Sequence, residues 1–107
     1  MTGEKINVND LVASFQRAVV EVLVEHTVEV AKDYNIKNVA MAGGVASNTA
    51  LRSLMEEKCS EEGLKLHFPS PIFCTDNAAM IGVAAYFEYL NENFKDLTLN
   101  AVPNLEL

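Results

Sequence analysis

Two short segments combine residue types that could do chemistry, and each stands where a helical pattern begins. The first is Met41-Ala42-Gly43-Gly44-Val45-Ala46-Ser47-Asn48, and the second is Cys74-Thr75-Asp76-Asn77-Ala78-Ala79-Met80-Ile81. The first reads as the end of a buried strand, a glycine turn and a helix N-terminus. Glycine has no Cβ, so backbone N–H groups at Gly43 and Gly44 can approach an oxygen-rich ligand, and the helix dipole favours an anion there. The Asn48 amide donates and accepts at once, which suits a ribose or an adenine edge and equally suits a helix cap. The second segment places a lone carboxylate, Asp76, at another helix start, where it could ligate a metal or stabilise the helix end. Together they read as part of a nucleotide and metal site.

Other chemistries find no support. Ser14, Ser47, Ser53, Ser60 and Ser70 lack a Gly-x-Ser-x-Gly context, and no His-Glu-x-x-His pattern is present. His26 falls in a mostly apolar helical pattern and is expected to be half-buried and satisfied, whereas His67 belongs to the polar side of a strand and is expected to be exposed. Cys59 and Cys74 have no Cys-x-x-Cys spacing, and read as reduced, buried, small apolar residues of a cytoplasmic protein. Thr75 is the expected cap of the last helix, with Asn77 bonding to the loop.

The elements that must position these segments follow from periodicity. The 107 residues suffice for one domain, and the 50% hydrophobic content supports a packed core. The net charge of −7 and the lack of a basic stripe argue against direct contact with nucleic acid or a membrane surface. Met1 to Asp10 is polar, with no apolar run of a secretory leader, and the apolar stretches elsewhere are too short to span a bilayer. Asp10 is placed to cap a helix from about Leu11 to Asp33. Its polar positions form one stripe through Arg17, Glu21, Glu25 and Glu29, so the helix needs cover on most of its circumference. Val39–Ala42 reads as an interior parallel strand, and a helix follows from Ser47 or Asn48 to Glu62, ended by Gly63. Leu64–Phe68 alternates as a strand with one covered face, and a third helix runs from about Asp76 to Leu90. The stretch from Asn91 to Leu107 reads as an extended, docked tail. The order is α-β-α-β-α, an α/β class, and two strands are too few for a stable sheet beside three helices. The sheet is therefore incomplete, and self-association through its edge is expected.

At these segments the chain resembles a known family. Ala42-Gly43-Gly44-Val45-Ala46-Ser47-Asn48, Leu51-Arg52, Phe68-Pro69-Ser70-Pro71 and Cys74-Thr75-Asp76-Asn77-Ala78-Ala79-Met80-Ile81 are similar to the C-terminal part of TsaD, as is the tail Asp96 to Leu105. That family, long labelled glycoprotease or O-sialoglycoprotein endopeptidase, comprises tRNA N6-adenosine threonylcarbamoyltransferases. The resemblance implies two ribonuclease-H-like domains of the actin-like, Hsp70-like ATPase fold with a cleft between them. Residues 1–107 would be the last three helices and two strands of the second domain. It implies that Gly43, Gly44 and Asn48 contact an adenine nucleotide or threonylcarbamoyl-adenylate. It implies Asp76 as one ligand of an iron or zinc ion, the others including a His-x-x-x-His pair in an N-terminal half. Partners would be that half, accessory subunits of the threonylcarbamoylation complex, and tRNA through the assembled complex. Alternatives are an inactive self-associating α/β module, or a fragment of another actin-like ATPase or a sugar kinase.

Overall fold

The computed structural model describes residues 6–104; the polar N-terminus is thus covered only from Ile6, and Leu105 of the tail lies outside the described residues. The elements are α1 (Val8–Asp33), β1 (Asn38–Ala40), a 3-10 turn (Gly44–Ser47), α2 (Thr49–Glu61), β2 (Lys65–His67), a second 3-10 turn (Pro71–Phe73) and α3 (Ala78–Leu90). The α-β-α-β-α order expected from the sequence is present. The strands pair in parallel, with Asn38, Val39 and Ala40 opposite Lys65, Leu66 and His67. The chain divides into two compact units, one ending at Asp76 and one beginning at Asn77.

The first unit is built on α1 and α2. Helix α1 starts earlier than the Asp10 cap implies. Asn7 is the N-cap: its Oδ1 accepts from the Asn9 amide at 3.0 Å, and its carbonyl accepts from the Leu11 amide at 3.0 Å. Asn7 and Asp10 lie one turn apart and either could cap. Val8 and Asn9 take helical geometry without obstruction, so the helix extends back to Asn7. Asp10 becomes a first-turn acid that complements the helix dipole. The helix closes with Asn35 in the left-handed region (φ 52), as the Ile36 amide donates to the Ala31 carbonyl at 2.8 Å. Gly63 (φ 65) ends α2 by the same device, with the Leu64 amide donating to the Cys59 carbonyl at 2.8 Å.

Val20, Val24, Val28 and Ala31 recur every three or four residues and form the buried stripe of α1. They pack with Val39 of β1, Leu51, Met55 and Cys59 of α2, and Leu64 into one core, against which Met41, Leu54 and Leu66 are partly buried. Lys32 reaches Glu62 at 2.7 Å, but both side chains are partly in solvent, so this pair contributes about 1 kcal/mol or less. The first three turns of α1 are different. Val8, Leu11, Val12 and Phe15 are all exposed, Phe15 at 70%. Nothing among the described residues provides the wide cover that this helix's composition demands.

In the second unit, α3 is capped by Asn77, whose Oδ1 accepts from the Met80 amide at 3.0 Å. Thr75 is therefore not the cap, and α3 begins at Ala78 rather than Asp76. The 3-10 turn opened by Pro71 carries the chain through Cys74, and the Thr75-Asp76 stretch that follows is not helical. Glu92 (φ 56) occupies the left-handed position after α3, and the Asn93 amide donates to the Glu88 carbonyl at 3.0 Å. Beyond it, Tyr89 and Phe94 stack edge to face at 5.9 Å, and Asp96 accepts from the Thr98 amide at 2.8 Å. No helix among the described residues is long and apolar enough to cross a membrane.

A candidate site at the carboxyl ends of the strands

Because β1 and β2 run parallel, the segments that follow them leave the sheet at the same edge. The glycine turn follows β1, and the Pro69 to Asp76 loop follows β2. In open α/β sheets ligands bind outside the carboxyl ends of strands. Gly43 has φ 88 and ψ 172, a conformation closed to residues with a Cβ, which explains glycine there. Gly44 sits where a Cβ would lie 4.0 Å from Thr75 Cγ2. The fold therefore brings the two sequence segments side by side.

The local order differs from strand, turn and helix in direct succession. A 3-10 turn, Gly44–Ser47, intervenes, and α2 begins only at Thr49. Its N-cap is Asn48, whose Oδ1 accepts from the Leu51 amide at 3.0 Å. The other end of that amide is held too, since Nδ2 donates to Gln16 Oε1 on α1 at 3.0 Å. The two bonds fix which way the amide faces. Beside it lies a groove of about 300 Å³ lined by apolar residues, among them Val12, Phe15, Val19, Val45 and Leu51, with Gln16 and Asn48 as its polar lining. A mostly apolar wall with a few placed polar groups is the usual make-up of a small-molecule site.

Asp76 is exposed, and it takes part in none of the ion pairs among the described residues. Its carboxylate is available as a hard oxygen donor. No group of three or more His, Cys, Asp or Glu side chains that could hold a metal occurs among the described residues. One carboxylate fits a metal as a contributing ligand and does not make a site. His26 is exposed rather than half-buried, because its position on α1 faces away from the core stripe. His67 is exposed as expected, with Nε2 3.1 Å from Asn38 Oδ1 on the neighbouring strand. Cys59 and Cys74 are both free and buried, as read from their spacing.

Sequence reasoning missed the role of Arg52. From the first turn of α2 its Nε donates to the Ala46 carbonyl at 2.5 Å. Its Nη2 donates to the Pro69 carbonyl at 3.0 Å and to Cys74 Sγ at 2.9 Å. The guanidinium carbon stands 4.4 Å from the centroid of the Phe68 ring. In sequence Arg52 stood out only as part of the Leu51-Arg52 pair within the family resemblance and as a cation three residues from the buried Met55, and neither signal gave it a role.

The family model for TsaD, described as tRNA N6-adenosine threonylcarbamoyltransferase, matches residues 1–83. The chain belongs to the TsaD family. Relatives named tRNA N6-adenosine threonylcarbamoyltransferase match along the whole chain. One from Clostridium perfringens is 54% identical over 107 residues, all of this chain and 32% of the relative. A Clostridium kluyveri protein is 52% identical over 107 residues, 31% of its own length, and a Clostridium botulinum protein is 50% identical over 32% of its length. The chain thus spans about a third of the length of the curated relatives it matches. A partial portion of a TsaD-family protein accounts for both the two-stranded sheet and the exposed apolar turns of α1. It also removes the sugar-kinase alternative.

Proposed function

We propose that this chain is the C-terminal portion of a tRNA N6-adenosine threonylcarbamoyltransferase and forms one wall of a cleft completed by a preceding half. The observation that carries this reading is the convergence of Gly44 and Thr75, which juxtaposes the glycine turn and the Asp76 loop at the carboxyl ends of both strands. Gly43 and Gly44 let an adenine nucleotide or threonylcarbamoyl-adenylate approach the backbone. Asn48 presents a pre-oriented amide to it, and the groove beside Asn48 takes the apolar face of the base. Asp76 supplies one oxygen to an iron or zinc ion whose remaining ligands lie in the preceding half; when bound, such an ion polarises and orients an acyl phosphate. The chain's own residues bind and orient, and little covalent chemistry is asked of them. The domain is of ribonuclease-H-like, actin-like type, with the stretch from Asn91 docked as a tail. Partner subunits and the preceding half handle tRNA, in keeping with the net charge of −7. The setting is cytoplasmic.

The test is a chimera joining this chain to the part of the Clostridium perfringens relative that it does not match. Threonylcarbamoyl transfer to N6 of adenosine in tRNA, with the partner subunits present, is the expected result. A folded chimera that binds neither nucleotide nor metal would overturn it. A second reading draws on the exposed Val8, Leu11, Val12 and Phe15. It makes the isolated chain an inactive α/β module that self-associates through this face and the sheet edge. Sedimentation at increasing concentration decides it, with a monomer at all concentrations as the contrary result.

A further inference from the structure

The two candidate loops leave different strands, and one side chain spans them. Arg52 bonds to Ala46 at the glycine turn, to Pro69 where the second loop starts, and to Cys74 just before Asp76. It is half-buried, and among the described residues no carboxylate forms an ion pair with it. Its partners are two backbone carbonyls, a thiol sulfur and the face of Phe68. An arginine held by carbonyls on separate segments acts as a cross-link, because its planar fork directs several N–H donors in fixed directions at once. Lysine would keep the charge, but its point-like ammonium on a flexible stem cannot reproduce that fork.

We propose that Arg52 is a positioning residue that locks the glycine turn at 43–47 and the loop at 69–76 into one rigid unit. It thereby sets the nucleotide-contacting and metal-ligating groups relative to each other. The consequence for ligands rests on the function proposed above, whereas the locking itself does not. Gly44 lies beside Thr75, where an added Cβ would stand 4.0 Å from Thr75 Cγ2. The guanidinium adds polar links from Ala46 to Pro69 and Cys74, and so joins one loop to the other.

The test is hydrogen exchange on this chain, with alkylation of Cys74 followed peptide by peptide so that the buried Cys59 serves as internal control. In Arg52→Lys, exchange at 43–48 and at 70–76 should rise together, and Cys74 alkylation should accelerate about tenfold, the equivalent of a lost charged hydrogen bond. Protection at 20–31 and 51–59 should stay unchanged. Loosening of one loop alone, or of neither, overturns the proposal. Should Arg52→Lys fail to fold, Cys74→Ala decides the matter, because it removes one acceptor and leaves the guanidinium. Exchange at 43–47 then rises if Arg52 carries the coupling and stays unchanged if it does not. In the chimera, zinc and ATP affinities measured separately should both fall about tenfold in Arg52→Lys. A loss confined to one ligand contradicts the positioning role. A parent chimera that binds neither ligand contradicts the proposed function instead, and leaves the exchange result to decide the locking.

Discussion

Asn48 carries two roles that a single substitution can separate. Its Oδ1 caps α2 through the Leu51 amide, and its Nδ2 ties α2 to α1 through Gln16, each at 3.0 Å. Asn48→Ala removes both. Loss of an N-cap costs about 0.5–2 kcal/mol and loss of a hydrogen bond about 0.5–1.5 kcal/mol, so the variant should lose about 1–3 kcal/mol. For a unit of this size that lowers the midpoint of thermal unfolding by on the order of 10 °C. Asn48→Asp keeps an acceptor for the Leu51 amide and adds a negative charge that a helix N-terminus favours. Gln16 can turn its amide to donate to that carboxylate. Stability should then change by no more than about 0.5 kcal/mol. The nucleotide meets a carboxylate in place of an amide donor, so its affinity in the chimera should fall by about tenfold or more. Denaturant unfolding and calorimetric titration with ATP measure the two effects. If Asn48→Asp binds ATP as tightly as the parent, Asn48 is only a cap. If Asn48→Asp unfolds as readily as Asn48→Ala, the capping argument is wrong.

The two glycines should behave oppositely. Gly43→Ala forces a Cβ into φ 88 and should cost about 1–2 kcal/mol by chemical unfolding, whereas Gly44→Ala, with its Cβ in ordinary contact with Thr75, should leave stability unchanged and weaken nucleotide binding. Asp76→Ala, at an exposed position, should shift stability by less than about 0.5 kcal/mol while metal content of the chimera falls to background; full metal occupancy contradicts its role. Glu92→Gly relieves a left-handed residue after α3 and should stabilise that helix by about 1 kcal/mol, read by its amide exchange. Burial pushes the Cys59 thiol above its ordinary range. The folded state therefore holds the proton while the unfolded state releases it, and stability should decline as pH rises past the ordinary thiol range. The pH dependence of urea unfolding checks this, and its absence in Cys59→Ala is the expected control.

The parts of this fold that periodicity or glycine chemistry governs were legible in the sequence. The α-β-α-β-α order, the parallel strands and the end of α2 at Gly63 all follow from residues whose physical options are few. Caps were less legible where several capable residues stand together. Asn7 and Asp10 compete one turn apart, and Thr75, Asp76 and Asn77 compete in succession. The winners are set by how far helical geometry extends back along the chain, which the capping residue types alone do not reveal. His26 was misplaced because the apolar residues of α1 surround the helix, and only the packing of α2 reveals which stripe is buried. The role of Arg52 was not legible for a different reason. Its partners at 46, 69 and 74 are brought together by the crossover between parallel strands, and no local pattern encodes that.

The proposed function divides a nucleotide and metal site between this chain and the part of its relatives that it does not match. Calorimetry with ATP, together with metal analysis, on this chain alone and on its mixture with that part from the Clostridium perfringens relative tests it most directly. Binding of both ligands in the mixture and of neither by the chain alone is the predicted result. Absence of binding in the mixture, when both parts are folded and associated, would contradict it.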